Sequence, residues 1–241
     1  MNLNYIARIK EEIDKLLKAR FIRPVKQATW LSRIVVVPKK NDKIHVCVDY
    51  RKLNTVTITY VFPLLFTDNV LDAVVGHDTY SFLDGFNRYD QVCMHPDDQE
   101  KTTFVMDLGV YVAVVMKFGL KTVPAMIQRT TTKSLWEYIP TFMQVFLDDF
   151  SVYGTRAEHL CHLGLCLERC CTSCLSLNPA KCAFDVTSGA LLGHIISKEG
   201  IAVDPKKITA IIEAKTPTTA KLLNHFLGQV RYRVFRLGLF A

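Results

Sequence analysis

The sequence has no apolar run that approaches the length needed to span a membrane. Apolar runs such as residues 34–37 and 110–116 have the length of strands. The first twenty residues are charged and lack the apolar core of a signal peptide. These absences argue against an integral membrane protein. We therefore expect a soluble intracellular chain with no membrane partner.

Internal repeats and low-complexity tracts are also missing, which argues against repeat architectures. Of the 241 residues, 49% are apolar, so the chain can build a real core and does not have the composition of a disordered protein. Its eight cysteines occur in a chain too large to need disulfides for stability, and we expect reduced thiols.

Basic residues are nearly absent from one stretch of the chain and concentrated in another. Residues 55–100 contain one Lys or Arg against eight Asp or Glu, whereas residues 1–54 contain thirteen against five. The chain as a whole carries a formal net charge of +7. Basic segments beside an acidic one are typical of a polyanion bound around a site that carries carboxylates. Basic surfaces are common, so this pattern alone assigns no function.

The hydrophobic pattern predicts an α+β fold with antiparallel hairpins rather than regular βαβ alternation. Residues 6–17 repeat apolar positions at helical spacing, and this helix should end before Pro24. Residues 34–37 and 44–48 predict a β-hairpin with a basic tip. Further helices are predicted over residues 68–75, 124–138, 157–175, 205–214 and 221–230, and further strands over residues 79–83, 102–116, 141–147 and 150–153.

Two adjacent carboxylates, Asp148 and Asp149, lie between apolar segments that favour strands. A surface hairpin turn would explain them, since Asp is common in turns. The tip contains no Gly or Asn, however, and two neighbouring carboxylates repel each other. The motif therefore leaves a surface turn and a functional site both open.

Asp84 adds a third carboxylate at the end of another predicted strand. Nucleotidyl transfer needs carboxylates from separate strands to hold two Mg²⁺ ions about 3.5–4 Å apart. Three Asp without His or Cys suit this hard cation. Spacing along the chain does not establish that these acids meet in space.

Short motifs follow one another along most of the chain. They occupy residues 21–24, 46–54, 62–64, 81–86, 100–104, 118–120, 124–125, 128–129, 145–154, 177–178, 181–182, 192–194, 200–204 and 226–228. Their residues and their order resemble the reverse transcriptases of LTR retrotransposons, specifically the gypsy class found in plants. A single acidic motif would be weak support, whereas many motifs in family order are specific.

The resemblance implies a right-hand polymerase fold with fingers, a palm that carries the Asp residues, and the start of a thumb or connection. These three parts are expected in chain order over residues 1–80, 81–175 and 176–241. By the same resemblance Asp84 and Asp148 hold two Mg²⁺ ions, or Mn²⁺ in their place, and Asp149 supports the site. The implied partners are an RNA or DNA template, a DNA primer and a deoxynucleoside triphosphate.

The resemblance also assigns residues to the nucleotide and the primer. Tyr89 matches the steric gate that excludes the ribose 2′-hydroxyl, and Phe118 and Gly119 would line the nucleotide pocket. Lys181 falls where polymerases place a general acid for the departure of pyrophosphate. The other residues implied are His45, Arg51, Lys39 and Lys40 at the nucleotide, and Leu192 and Gly193 at the primer end.

Several residues depart from the family pattern near the expected nucleotide site. His45 stands where the family usually has an Arg that contacts the triphosphate, and His lacks the permanent charge and the bidentate fork of Arg. Lys117 replaces a Pro, Thr122 an Asn and Tyr60 an Asp. The sequence therefore combines intact metal-binding acids with an altered nucleotide pocket.

Two functions remain open on these grounds. One is an RNA- and DNA-directed DNA polymerase that copies a retrotransposon, and the other is a decayed remnant that binds nucleic acid without polymerising. An RNA-dependent RNA polymerase is disfavoured, because the bulky Tyr89 clashes with a 2′-hydroxyl. We expect action in a cytoplasmic virus-like particle or in the nucleus. RNase H and integrase regions do not fit in this chain, so we expect a fragment or a truncated gene product.

Overall fold

The fold consists of three β-sheets with helices packed against them. The computed structural model describes residues 3–38, 44–63, 66–86, 88–106, 109–214 and 216–234. Its helices are α1 (Leu3–Lys18), α2 (Arg51–Val56), α3 (Thr67–Val74), α4 (Pro96–Gln99), α5 (Val123–Leu135), α6 (His159–Thr172), α7 (Pro205–Ile212) and α8 (Ala220–Val234). Its strands are β1 (Ile22–Pro24), β2 (Ser32–Pro38), β3 (Ile44–Val48), β4 (Thr79–Asp84), β5 (Phe104–Met106), β6 (Gly109–Ala113), β7 (Met143–Phe146), β8 (Asp149–Gly154), β9 (Ala183–Val186), β10 (Ser188–Leu191), β11 (His194–Ser197) and β12 (Gly200–Val203). Short 3₁₀ turns occupy Arg88–Gln91 and Glu100–Thr102.

The first sheet has five strands and joins two separate parts of the chain. Its order is β1-β6-β5-β2-β3, in which β2 and β3 form the predicted antiparallel hairpin. Helix α1 covers this sheet, because Ile9 and Ile13 are buried against Ile22 and Phe104. Their spacing of four residues places both isoleucines on one side of the helix.

The second sheet has four strands in the order β7-β8-β4-β9, all antiparallel. It is covered on both faces, since Leu83 packs with residues of α5 and α6 while its neighbour Phe82 packs with residues of α3. Successive side chains of a strand point to opposite faces. Residues 79–83 are consequently all buried, and β4 stops at the partly buried Asp84.

The third sheet contains β10, β11 and β12 in sequence order and packs on the second. Gly189 of β10 lies against the Phe82 ring, where a Cβ would come within 2.4 Å of a ring carbon. Leu192 and Gly193, which join β10 to β11, have φ values of +47° and +78°. The tight turn explains the Gly, because positive φ costs glycine little.

Most predicted elements are present with shifted ends. The helix predicted over residues 124–138 is α5, which ends at Leu135, three residues earlier than predicted. The sequence pattern missed α2 and α4, which are too short to show a helical repeat. The division at residues 80 and 175 stays a prediction. In the described residues, no helix is both long and apolar enough to cross a membrane.

Candidate active site

The carboxylates of Asp84, Asp148 and Asp149 meet at one end of the four-stranded sheet. Strand β4 ends at Asp84 and β8 begins at Asp149, and their antiparallel pairing sets these two residues opposite each other. The turn between β7 and β8 carries Asp148 to the same place. One oxygen from each carboxylate lies within 4.8 Å of the other two. The structure thus brings together acids that are far apart in the sequence.

The turn that presents Asp148 is not an ordinary surface turn. Leu147 has a φ of +56°, which is rare and strained for a residue other than glycine. Asp148 is only 8% exposed. Burying a carboxylate is costly unless hydrogen bonds or cations stabilise its charge. A solvated turn, the alternative reading of this motif, does not account for that burial.

Gln128 of helix α5 holds this turn from the interior of the protein. Its Oε1 accepts a hydrogen bond from the Leu147 N–H at 2.6 Å. Its Nε2 donates to the Val145 carbonyl oxygen at 3.1 Å and to Thr132 Oγ1 at 3.0 Å. The oxygen and the nitrogen of this fully buried side-chain amide therefore both hold the hairpin of β7 and β8. Gln128 was not among the predicted site residues, although a polar residue on the buried face of an amphipathic helix was a signal.

Lys181 faces the acids from the segment before β9. Its Nζ donates to both carboxylate oxygens of Asp84, at 3.2 Å each. Backbone hydrogen bonds hold the surroundings, because the Gly85 N–H donates to the Asp148 carbonyl and the Asn178 N–H to the Asp84 carbonyl, each at 2.8 Å. The Lys181 ammonium therefore lies against Asp84, one of the three clustered carboxylates. Three clustered carboxylates are a donor set that fits a divalent metal ion.

A cleft of about 600 Å³ extends from Asp148 to the five-stranded sheet. The rings of Tyr89 and Phe118 meet in its wall, edge to face, with centroids 5.9 Å apart. The polar residues in the wall include Glu12, Lys15, Asp90, Lys117, Asp148 and Lys181. The structure thus brings four predicted site residues, Tyr89, Phe118, Asp148 and Lys181, to one cavity.

Asn54 of α2 holds the loop that contains Phe118 and Gly119. Its Nδ2 donates to the Gly119 carbonyl oxygen at 2.7 Å, and its Oδ1 accepts from the Lys121 N–H at 2.8 Å. Gly119 has a φ of +96°, which glycine adopts without the strain that other residues incur. Asn54 therefore positions one wall of the cleft, a role that its place in a sequence motif did not reveal.

Other predicted site residues are placed differently or lie outside the description. The Arg51 guanidinium donates to both carboxylate oxygens of Asp49 and lowers the pKa of that carboxyl to about 2. Arg51 is not among the residues that line the cleft. His45 lies on β3, but its side chain is outside the described part of the chain, as are Lys39 and Lys40. Their roles stay predictions.

Two residues that depart from the family pattern, Tyr60 and Lys117, contact other side chains of the fold. Arg129 of α5 donates to the Tyr60 hydroxyl and lies over the Tyr60 ring, 5.6 Å from its centroid. Lys117 forms an ion pair with Asp90 at 2.9 Å. Thr122 precedes α5 but makes no side-chain cap to it. Tyr60 and Lys117 are therefore each held by a side chain from another part of the chain.

The chain is similar to known proteins over most of its length. Residues 37–196 match the family described as reverse transcriptase (RNA-dependent DNA polymerase). The chain is 33% identical over 236 residues to the retrovirus-related Pol polyprotein from transposon opus of Drosophila melanogaster, covering 95% of this chain and 23% of that protein. It is 28% identical over 225 residues to the transposon Tf2-3 polyprotein of Schizosaccharomyces pombe, covering 93% and 17%. The chain thus spans less than a quarter of the length of these relatives.

The fold is similar to solved structures of the foamy viral protease-reverse transcriptase. Against the complex with dsDNA the TM-score is 0.87 at 22% identity, covering 97% of this chain and 48% of that chain. Against the complex with RNA/DNA hybrid it is 0.85 at 23% identity, covering 95% and 31%. These similarities confirm the predicted α+β fold of right-hand polymerase type, with fingers and palm.

Proposed function

Because the chain belongs to the reverse transcriptase (RNA-dependent DNA polymerase) family, we propose that it extends a DNA primer on an RNA or DNA template. The observation that carries this proposal is the meeting of Asp84, Asp148 and Asp149 beside a cleft of about 600 Å³. The substrate would be a deoxynucleoside triphosphate. The cofactor would be Mg²⁺, with Mn²⁺ accepted in its place, because the three ligands are carboxylates.

In this proposal Asp84 and Asp148 bind two divalent cations, and Asp149 stabilises the site from its place opposite Asp84. Bound there, the cations supply activation of the primer 3′-hydroxyl and neutralisation of charge on the triphosphate. The chain itself contributes positioning, since the Leu147-Asp148 turn is fixed before the substrate arrives. Lys181 would leave Asp84 and donate a proton to the departing pyrophosphate.

The remaining assignments concern the nucleotide and the primer end. Tyr89 would exclude a ribose 2′-hydroxyl, and Phe118 with Gly119 would support the nucleotide. Their mutual contact in the cleft wall supports this proposal. Contacts to the triphosphate are assigned to Arg51, His45, Lys39 and Lys40, and contacts to the primer end to Leu192 and Gly193.

The proposed origin is an LTR retrotransposon of the gypsy class and plant-like type. The relatives reported above are transposon polyproteins of which this chain matches one part, which supports a role within a Pol polyprotein. The related structures that contain dsDNA or RNA/DNA hybrid support nucleic acid as the partner. Action in a virus-like particle or in the nucleus is part of the same proposal.

The second candidate, a remnant that no longer polymerises, rests on the departures at His45, Lys117 and Thr122. One assay separates the two: extension of oligo(dT) on poly(rA) with dTTP and Mg²⁺. We expect the wild-type chain to extend the primer and Asp84→Asn and Asp148→Asn to abolish extension while the circular dichroism spectrum is retained. Extension by either variant at the wild-type rate would contradict the site.

The same assay identifies the remnant. A wild-type chain that binds the primer–template but does not extend it would support loss of activity. The variant His45→Arg then tests the cause, because Arg restores a permanent charge and a bidentate donor. Recovery of extension would locate the defect at this position, and continued inactivity would exclude it as the sole cause.

A further inference from the structure

Lys117 and Asp90 form an ion pair in the wall of the cleft. The Lys117 Nζ and the Asp90 Oδ1 are 2.9 Å apart, and the two side chains are only 16% and 23% exposed. Both residues line the same cavity as Asp148. The pair is therefore partly withdrawn from solvent and lies beside the acids.

The ion pair joins two segments that already touch through aromatic rings. Tyr89 and Asp90 are neighbours on the 3₁₀ turn Arg88–Gln91, which follows β4, whereas Lys117 and Phe118 are neighbours on the loop before α5. Tyr89 contacts Phe118 at a ring-centroid distance of 5.9 Å and an interplanar angle of 70°. Tyr89 and Asp90 thus contact Phe118 and Lys117, respectively. The ion pair adds a second contact between the two segments. It limits the rotation that the contact between the rings alone would permit.

Lys117 is also anchored to a third element. Its ammonium lies 5.4 Å from the centroid of the Phe21 ring, which belongs to the segment between α1 and β1. The ion pair of Lys101 and Asp98 differs, because these side chains are 57% and 58% exposed. An exposed pair of that kind contributes little, because solvent screens it. The Lys117–Asp90 pair is partly buried, so it can stiffen the cleft wall.

We propose that the Lys117–Asp90 ion pair holds Tyr89 against Phe118 and thereby sets the preference for deoxyribonucleotides over ribonucleotides. This inference rests on the proposed function, in which Tyr89 faces the sugar. A 2′-hydroxyl differs from hydrogen by a single oxygen atom, so steric exclusion fails if the ring can retreat by a small distance. Lys117 and Asp90 are thus positioning residues, because they act through Tyr89.

The test measures nucleotide binding without chemistry. A primer ended by a dideoxynucleotide is annealed to a poly(rA) template, and binding of dUTP or UTP, which differ only in the 2′-hydroxyl, is followed by stabilisation of the ternary complex. The variants are Lys117→Met, Asp90→Asn and the exchanged double variant Lys117→Asp/Asp90→Lys. Lys101→Met serves as the matched control, because it removes one Lys from an exposed ion pair outside the cleft.

Each single variant should lower the preference for dUTP over UTP roughly tenfold, a discrimination typical of one small group, through tighter UTP binding. The exchanged double variant should recover most of the preference, and Lys101→Met should leave it unchanged. Tyr89→Ala should lower the preference by at least as much as the single variants. Thermal unfolding of each variant shows whether the fold is retained, and recovery in the double variant excludes a general folding defect.

The results that would contradict the role of the ion pair differ from the results that would contradict the polymerase function. An unchanged preference in Lys117→Met and Asp90→Asn, with a lowered preference in Tyr89→Ala, would overturn the role of the ion pair. An equal weakening of dUTP and UTP binding would overturn it as well. If the variants change the preference for dUTP over UTP as expected but the wild-type chain does not extend a normal primer, the polymerase function fails while the role of the ion pair stands.

Discussion

The side-chain amine of Lys181 donates to both carboxylate oxygens of Asp84, at 3.2 Å each. Lys181 is 63% exposed while Asp84 is 18% exposed, so the ammonium covers the carboxylate from the solvent side. A cation bound by Asp84 must compete with this ammonium for the same oxygens. The contact therefore couples metal binding to the freedom of Lys181.

Lys181→Met should increase the affinity of the chain for Mn²⁺ several-fold, because it removes a competing positive charge. It should also slow primer extension by roughly 10²–10⁴, the usual contribution of a general acid. Lys181→Arg is the matched control: it keeps the charge, and with it the wild-type Mn²⁺ affinity, but it is too weak an acid to restore the rate. Electron paramagnetic resonance of Mn²⁺ measures the affinity, and an unchanged affinity in Lys181→Met would contradict the competition.

Gln128→Leu should destabilise the chain and disable the site together. The change leaves the Leu147 N–H and the Val145 carbonyl without their partner, and each unsatisfied buried group costs about 1–3 kcal/mol. The control Thr132→Val removes only the outer hydrogen bond of the amide. Urea unfolding gives the stability and primer extension gives the activity. A Gln128→Leu chain that keeps wild-type activity would show that the turn does not need this support.

Asn54→Asp tests the clamp on the nucleotide loop. Asp can still accept from the Lys121 N–H, but an ionised carboxylate has no donor for the Gly119 carbonyl. Loss of one hydrogen bond, about 0.7–1.4 kcal/mol, should raise the KM for dTTP roughly three- to tenfold and change kcat less. Asn54→Gln, with the same groups on a longer chain, tests the required distance. A fall in kcat with KM unchanged would speak against a role in nucleotide positioning.

The buried thiols should make stability fall at alkaline pH. Burial raises the pKa of Cys166 to about 12 and that of Cys170 to about 11, from 9.0. Below pH 9 these thiols are protonated in both the folded and the unfolded chain. Between about pH 9 and pH 11 only the unfolded chain loses their protons, so the free energy of unfolding falls as pH rises. Urea unfolding at increasing pH measures this effect, which Cys166→Ala should reduce.

The same burial protects these two thiols from reagents. Iodoacetamide near neutral pH should label the exposed cysteines of the folded chain and spare Cys166 and Cys170 until denaturant is added. Peptide mass spectrometry identifies the labelled positions. Rapid labelling of Cys166 in the native chain would contradict the packing between α6 and the four-stranded sheet. The cysteines expected to react are Cys93, Cys161, Cys171 and Cys174.

Patterns within short segments were sufficient for much of the fold. Alternation and helical spacing predicted β2, β3, α1 and α6, because each depends on which residues face the core of one element. The ends of α5 and the existence of α2 were not predictable in this way. Their limits depend on contacts with distant residues, such as the hydrogen bonds between Asn54 and the Gly119 loop.

The sequence by itself determined that three acids stand in motifs resembling those of a polymerase. Only the tertiary structure decided that they meet, because the pairing of β4 with β8 sets Asp84 opposite Asp149. The partner of Lys117 likewise came from the fold alone. In the sequence, Lys117 was a departure from the family pattern and indicated an altered pocket. Packing in the folded chain placed Asp90 beside it. Distances between distant residues are set by sheet register and helix packing, which no local pattern encodes.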